Sequence, residues 1–130
     1  MLALGAILTY SFPFRGTIQA GWPSPAEEEL GDQLTFEEWL VPHKEASSLV
    51  TVATDAMKEA GIMPDDIVIM ERGRTPQRGD IVIAEVDGQT MIRHYEIDKL
   101  VAANHHYQPI TPTEDTRILG VVTSVIRRYR

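Results

Sequence analysis

The sequence predicts a mainly β fold in which antiparallel strands form one domain with a few short helices. At 130 residues, the chain has the usual size of a single domain. From Ser47 onward, short runs rich in β-branched residues alternate with clusters of turn-forming residues. Asp87-Gly88, between two alternating runs, is a strong signal for a β-hairpin. The predicted strands are Leu49 to Ala53, Ile67 to Met70, Ile81 to Val86, Met91 to Ile97, Leu100 to Ala103 and Ile118 to Ile126.

The part of the chain before Ser47 is different. Residues 1–23 contain prolines and glycines without a sustained hydrophobic period, which predicts an extended N-terminal arm. Ser24-Pro25-Ala26-Glu27 has the capping hydroxyl, early proline and following glutamate of a helix start, and Thr35 to Glu38 repeats the capping pattern. Two short helices are therefore expected there. We divide the chain into an arm, residues 1–23, and a domain, residues 24–130.

A third helical segment is predicted among the strands. Asp55 is a residue type that caps a short helical turn, and Gly61 suits the left-handed conformation at the end of such a turn.

Composition excludes several classes of protein. Twelve basic against 19 acidic residues give a net charge of −7, so direct nucleic-acid binding is not expected, although Arg127, Arg128 and Arg130 form a small basic cluster. Without cysteine there is no disulfide, thiolate zinc site or cysteine nucleophile. The apolar first ten residues are far shorter than the ~20 that a membrane span needs, and they lack the basic start of a secretory signal. We expect a cytoplasmic protein that does not contact membranes.

No metal or cofactor is expected either. His105 and His106 are adjacent, and adjacent histidine side chains usually diverge, while no ligand spacing or nearby acidic residue supports metal binding. The glycines at 73 and 79 lie in a basic turn without the lysine and threonine that end a phosphate-binding loop.

Several stretches share their order and spacing with one protein family. The chain resembles, over nearly its whole length, the LexA/UmuD-type family of self-cleaving serine-lysine peptidases. The resemblance rests on residues 19–26 (Gln-Ala-Gly-Trp-Pro-Ser-Pro-Ala), Asp55-Ala56-Met57 with Ala60-Gly61-Ile62, residues 79–84 with Val86-Asp87-Gly88, residues 104–107, residues 109–111, and Gly120-Val121-Val122.

The resemblance implies a fold, a reaction and the residues for that reaction. The implied fold is mainly β, with curled antiparallel sheets that form a partly open barrel, short helices and an extended N-terminal arm. In this family a serine attacks a peptide bond in the protein's own N-terminal arm, and a lysine kept neutral by burial acts as the base. Carried over to this chain, the cleaved bond is Ala20-Gly21, the serine position is Ala56 and the lysine position is Arg93. The amides of the turn at Asp55 and Met57 would form the oxyanion pocket.

Neither substituted residue can perform its predicted role. Alanine has no oxygen nucleophile, so no acyl-enzyme can form at Ala56. Arg93 stays protonated and cannot accept the proton of a hydroxyl. Self-cleavage is therefore not expected, whether the chain is an engineered inactive variant or, as we favour, a naturally divergent relative. Thr54 supports divergence, because similar proteins favour glycine at that position.

Plainer interpretations of these residues remain open. Alanine is the best helix former, and the charge of a strand arginine normally faces water. Arg93 could instead pair with Asp55, Glu71 or another acid and so hold the pocket together. A displaced catalytic pair is a further alternative, in which Lys58 acts as the base for a hydroxyl of Ser47, Ser48, Thr51 or Thr54. Nothing in the sequence gives a reason for the depressed pKa that this lysine would need.

The resemblance also implies partners. A homodimer is expected, together with RecA filaments, which promote cleavage of the arm, and a Y-family translesion DNA polymerase, which the protein assists in DNA-damage-induced mutagenesis. The alternative is a RecA-stimulated serine autopeptidase, present here as an inactivated variant, that cleaves its own Ala20-Gly21 bond. A phage- or plasmid-borne repressor core is disfavoured, on the expectation that no DNA-binding domain precedes residue 1.

Overall fold

The computed structural model describes residues 11–13 and 33–130, in two units that end and begin at Pro42 and His43. The predicted first helix and the Ala20-Gly21 bond lie outside the described residues, as does the predicted arm apart from residues 11–13.

The first unit contains a small antiparallel ladder and one helix. Strand β1 (Ser11–Pro13) pairs with β2 (Gln33–Thr35), and helix α1 (Phe36–Leu40) follows directly. The backbone N–H of Glu38 donates to the Thr35 hydroxyl at 3.2 Å, and that hydroxyl donates to the Glu38 carboxylate at 2.6 Å. The predicted capping at Thr35 is thus confirmed. The rings of Phe12 and Phe36 stack with their centroids 5.0 Å apart.

The second unit is a six-stranded antiparallel sheet, which confirms the mainly β fold class. Its strands are β3 (Ser47–Thr51), β4 (Ile67–Glu71), β5 (Ile81–Val86), β6 (Gln89–Tyr95), β7 (Leu100–Val101) and β8 (Arg117–Ile126). They lie in the order β3-β4-β8-β5-β6-β7, so that the last strand of the chain is in the middle of the sheet. Irregularities in the ladder between Ile69 and Met70 and between Ile83 and Ala84 are the kind of bulge that increases local twist and curls a sheet.

The hairpin between β5 and β6 has the predicted turn. Asp87 and Gly88 have φ values of 51° and 79°, the two positive values that a tight type I′ turn requires. Val86 and Gln89 pair directly across it, so β6 begins two residues before the predicted Met91. It also ends earlier than predicted, because Ile97 has a φ of 72° and cannot continue a strand.

Apolar side chains cover both faces of the sheet at β5. Ile83 belongs to one buried cluster, whereas its neighbours Val82 and Ala84 belong to another. The first cluster also contains Met57 and Ile62, which fix the segment between β3 and β4 onto the sheet. This packing places residues 54–62 near the middle strands.

The helical turn in that segment is shorter than predicted. It is a 3-10 turn, Lys58–Ala60, and a second such turn, Lys44–Ala46, precedes β3. Gly61 ends the first turn with a φ of 84°, as predicted. The predicted cap is wrong, because the Asp55 side chain does not cap the turn and instead accepts a hydrogen bond from Tyr107. Among the described residues, no helix has both the length and the apolar character that a membrane crossing requires.

Candidate functional site

The two positions predicted for the nucleophile and the base are both buried. Ala56 lies between β3 and the 3-10 turn with a relative exposure of 0%, and Arg93 lies in β6, opposite Val82, with an exposure of 7%. The two residues are 37 positions apart in the sequence. The sheet and the packing of Met57 bring these parts together.

Tyr107 connects the two positions. Its hydroxyl donates to Oδ1 of Asp55 at 2.6 Å and lies 3.4 Å from Oγ1 of Thr54. The guanidinium carbon of Arg93 lies 5.3 Å from the centroid of the Tyr107 ring, within the range of a cation-π interaction. The backbone N–H of Ala56 in turn donates to Oγ1 of Thr54 at 3.1 Å. We call these five residues the Tyr107 cluster.

A loop between β7 and β8 carries Tyr107, and polar contacts attach this loop to the segment beside it. Asn104 is 2% exposed, and its Nδ2 donates to the carbonyl oxygen of Asp55 at 2.9 Å. Nearby, Nδ1 of His105 lies 2.7 Å from Oε2 of Glu59. The backbone N–H of His105 also donates to Oε2 of Glu59, at 3.2 Å. The side-chain and backbone hydrogen bonds with His105 hold the pKa of Glu59 below its ordinary value. The loop is therefore fixed on both sides of Asp55.

Hydrogen bonding and burial change the pKa values of two residues in the cluster, Asp55 and Arg93. The hydrogen bond from Tyr107 is the main cause that lowers the pKa of Asp55, so this carboxylate is ionised at neutral pH. Burial lowers the pKa of Arg93, but a guanidinium in a protein still keeps its proton. Tyr107 thus lies between an anion, Asp55, and a cation, Arg93.

The structure contradicts one plain interpretation of Arg93 and gives the other no support in the part of the chain that it describes. Its charge does not face water, because buried side chains cover both faces of the sheet at this point: Val82, opposite it, and Ile92, before it, are both buried. It also makes no ion pair with a carboxylate in the part of the chain that the structure describes. Asp55 is bound by Tyr107, and Glu71 pairs with Arg74 at 2.8 Å.

The Arg93 guanidinium has few hydrogen-bond partners. One terminal nitrogen donates to the carbonyl oxygen of Ile92 at 2.7 Å. Its Nε is buried and has no partner among the described residues. Buried polar atoms in proteins are nearly always paired, so an unpaired nitrogen on a charged side chain is an unusual feature that calls for an explanation.

The groups predicted to form the oxyanion pocket make other contacts in this structure. The amide of Ala56 is occupied by the Thr54 hydroxyl, and the Met57 side chain belongs to the core, where its sulfur lies 3.4 Å from the amide nitrogen of Ala103. The oxyanion role given to Asp55 and Met57 stays a prediction, as do the dyad roles of Ala56 and Arg93.

The displaced catalytic pair gains no support from the contacts. Lys58 is exposed, and no hydrogen bond joins it to Thr54 in the described residues. The Ser47 hydroxyl donates to the carbonyl oxygen of His43 at 2.7 Å.

A groove of about 340 Å³ opens beside the cluster. The end of β3 and the residues after it form one wall, and β6 forms the other. Its lining residues are Val50, Thr51, Val52, Ala53, Thr54, Ile83, Thr90, Met91 and Ile92. Thr54 belongs to both the groove and the Tyr107 cluster. Ile92 lines the groove, and the side chain of Arg93, the next residue in β6, lies on the opposite face of the sheet.

The two adjacent histidines lie closer together than expected. The ring centroids of His105 and His106 are 4.1 Å apart, whereas we expected the side chains to diverge. Both residues lie in the loop between β7 and β8 and not in a strand, so their side chains do not alternate. Within the described residues, no group of three or more His, Cys, Asp or Glu is arranged to hold a metal ion.

Tyr107 and Asn104 are the site residues that sequence reasoning missed. Both lie in a stretch that carries the family resemblance, but no spacing rule links them to Asp55, from which they are separated by 52 and 49 positions. The resemblance of residues 104–107 was the only available signal.

Comparison with known proteins gives a consistent result. Residues 13–123 match the model of the family described as Peptidase S24-like. The LexA repressor of Carboxydothermus hydrogenoformans is 34% identical over 125 residues, which cover 92% of this chain and 61% of the relative. Protein SamA of Salmonella typhimurium is 32% identical over 114 residues, 85% of this chain and 81% of SamA. Protein ImpA of Escherichia coli is 30% identical over 125 residues, 90% of this chain and 83% of ImpA. The chain thus spans about three fifths of this LexA repressor.

Proposed function

We propose a function from the premise that this chain belongs to the Peptidase S24-like family of LexA- and UmuD-type proteins. In this proposal it acts in DNA-damage-induced (SOS) mutagenesis as a UmuD-like accessory subunit of a translesion DNA polymerase, and it does not cleave itself. Its partners are a second copy of the chain, RecA filaments and a Y-family polymerase.

The observation that supports the non-cleaving part of the proposal is the chemistry at the Tyr107 cluster. Ala56 is fully buried and offers a methyl group where the family reaction needs an oxygen. The Thr54 hydroxyl accepts a hydrogen bond from the backbone N–H of Ala56 and lies beside the Tyr107 hydroxyl, which is not a base at neutral pH. Arg93 is buried but stays protonated, so it cannot activate a hydroxyl.

The first test is a cleavage assay. The purified chain is incubated with RecA filaments, ATP and single-stranded DNA, and its intact mass is followed over time. We expect no change. Release of a fragment that ends at Ala20 would show that the assignment of Ala56 and Arg93 is wrong and that other groups cleave the arm.

A second test restores the proposed chemistry. Ala56→Ser combined with Arg93→Lys supplies both a nucleophile and a base that burial can keep neutral, so we expect cleavage at Ala20-Gly21. Ala56→Ser alone should stay uncut, because the arginine cannot accept the proton. The matched control combines Arg93→Lys with Ala53→Ser, which places the serine at an exposed neighbouring position. Equal cleavage of the control and the test variant would contradict the proposed role of Ala56.

The arm can still be a substrate for another subunit. Cleavage in trans requires only the Ala20-Gly21 bond on this chain and an intact serine-lysine pair on its partner. Co-expression with a cleavage-competent homologue, followed by mass measurement of this chain, distinguishes an arm that is always retained from one that a partner removes.

A further inference from the structure

The hairpin between β6 and β7 ends in a strained turn that exposes an isoleucine. The backbone N–H of Asp98 donates to the carbonyl oxygen of Glu96 at 2.8 Å, and Ile97, between them, has a φ of 72°. A hydrogen bond of this span around a positive φ defines a γ-turn of the rare, strained kind. For a β-branched residue such a φ is an outlier, because the left-handed region favours glycine.

Packing within the described part of the chain does not offset the strain at Ile97. The residue is 55% exposed and belongs to neither of the two buried clusters. Glycine at this position would remove both the strain and the exposed apolar surface. Backbone strain that persists in this way clusters at functional sites. We call residues 96–99 the hairpin tip.

A groove of about 550 Å³ lies where β4 begins and β8 ends. The ion pair between Arg127 and the buried Asp66, with 2.7 Å between Nη2 and Oδ2, fixes its wall. A preformed, mostly apolar concavity of this size is typical of a binding site. The apolar residues that line the groove are Met63, Pro64, Ile67 and Ile126.

The charges at the groove and at the hairpin tip are complementary. Asp65 and Arg128 line the groove, and Asp98 and Lys99 directly follow Ile97 in the tip. These four charged residues are exposed, and none is in an ion pair among the described residues. With Ile97 in a groove, Asp98 can pair with Arg128, and Lys99 with Asp65. Complementary charges of this kind fix the orientation of two surfaces and disfavour wrong partners.

We propose that the hairpin tip of one copy of this chain docks into the groove of a second copy, with the Ile97 side chain against the apolar lining. The partner is a second copy because one chain carries both complementary surfaces. A chain's own tip does not fill its groove, since no tip residue lines it in the described part of the chain, and β8 and β5 lie between β4 and the hairpin.

The contact joins two different surfaces and is therefore heterologous. The proposed function already includes a second copy of the chain. This inference rests on that part of the proposed function and adds the surfaces through which the copies meet.

The first test measures self-association of the full chain by sedimentation equilibrium over a range of concentrations. Ile97→Gly should raise the dissociation constant by about tenfold or more, the effect of withdrawing one buried isoleucine side chain. Its urea midpoint should not fall, because glycine accepts the positive φ. Weaker association without weaker folding separates loss of the contact from loss of the fold.

The matched control removes another exposed apolar side chain. Leu49→Thr in β3, at a residue that is 65% exposed, should leave the dissociation constant unchanged. A chain that stays monomeric at every concentration, or a dimer that Ile97→Gly leaves intact, would overturn the inference.

Charge reversal tests the orientation of the contact. Asp98→Arg and Arg128→Asp should each weaken self-association, because each brings like charges together. Mixed in equal amounts, the two variants should associate with each other, since every tip then meets a groove of opposite charge. A fluorescent label on one variant identifies the mixed species. No association in the mixture would refute the pairing of Asp98 with Arg128.

These results are separable from those of the cleavage assay. Cleavage in the presence of RecA filaments would contradict the non-cleaving function alone. Association of copies that does not depend on Ile97 would contradict this inference alone.

Discussion

Gly120 in the central strand β8 allows a test of how closely the sheet is packed. It pairs with Ile83 of β5, and its backbone conformation is open to any residue. A Cβ atom at this position would contact Cγ of Met70 and lie 2.9 Å from its sulfur and 3.0 Å from the carbonyl oxygen of Glu71. Met70 is buried, so it has little room to move away.

Gly120→Ala should therefore destabilise the protein by overpacking. Inserting one methyl group into a packed core costs about 1–3 kcal/mol. Urea denaturation slopes for small proteins are about 1–3 kcal/mol per molar, so with a slope of about 2 the midpoint should fall by roughly 0.5–1.5 M. The measurement is urea unfolding followed by circular dichroism.

A double mutant identifies the cause. Met70→Ala alone should cost about 2–5 kcal/mol through the cavity that it leaves. Combined with Gly120→Ala, the total should be smaller than the sum of the two single effects, because the new methyl group enters the space left by the methionine. A strictly additive result, or an unchanged midpoint in Gly120→Ala, would refute the packing argument.

Three further predictions concern the ion pair at the C-terminal end, the core and the site. Arg127 donates two hydrogen bonds of 2.7 Å to the buried Asp66, and these are the main cause that lowers the pKa of Asp66 from 3.8 to about 2. The stabilisation from this pair is therefore fully present above pH 3.8 and is lost as the pH falls towards 2, so the urea midpoints at pH 7 and pH 3 should differ less in Arg127→Gln than in the unmodified protein. Met57→Ala removes a fully buried side chain and should cost about 2–5 kcal/mol, measured by urea unfolding. Tyr107→Phe removes the hydrogen bond to Asp55, so the pKa of that carboxyl should rise, as measured by NMR titration.

Much of the fold was predictable because the local signals agree with one another. Strand β5 was predicted to the residue: a turn precedes it, and the Asp87-Gly88 hairpin follows. The end of β6 was not, because Ile97 looks like a strand residue but adopts a φ of 72° in an exposed turn. An apolar residue type alone does not reveal such a backbone conformation.

The site was less predictable, because its contacts link distant parts of the chain. Ala56 and Arg93 were singled out through a family resemblance, and neither residue type signals chemistry by itself. The burial of Arg93 depends on side chains that cover both faces of the sheet, which no pattern around residue 93 reveals. The position of Tyr107 between Arg93 and Asp55 follows from a loop that only the folded chain brings there.

Arg93 shows how packing decides the energetic state of a residue. It is 7% exposed, its Nε has no partner among the described residues, and one terminal nitrogen donates to the carbonyl oxygen of Ile92. A buried arginine without a counter-ion usually lowers stability, and an apolar residue of similar size is often tolerated as well or better. The Tyr107 ring, whose centroid lies 5.3 Å from the guanidinium carbon, offsets only part of this cost. The stability of the sheet at this point therefore comes from the apolar residues around Arg93 and not from its charge.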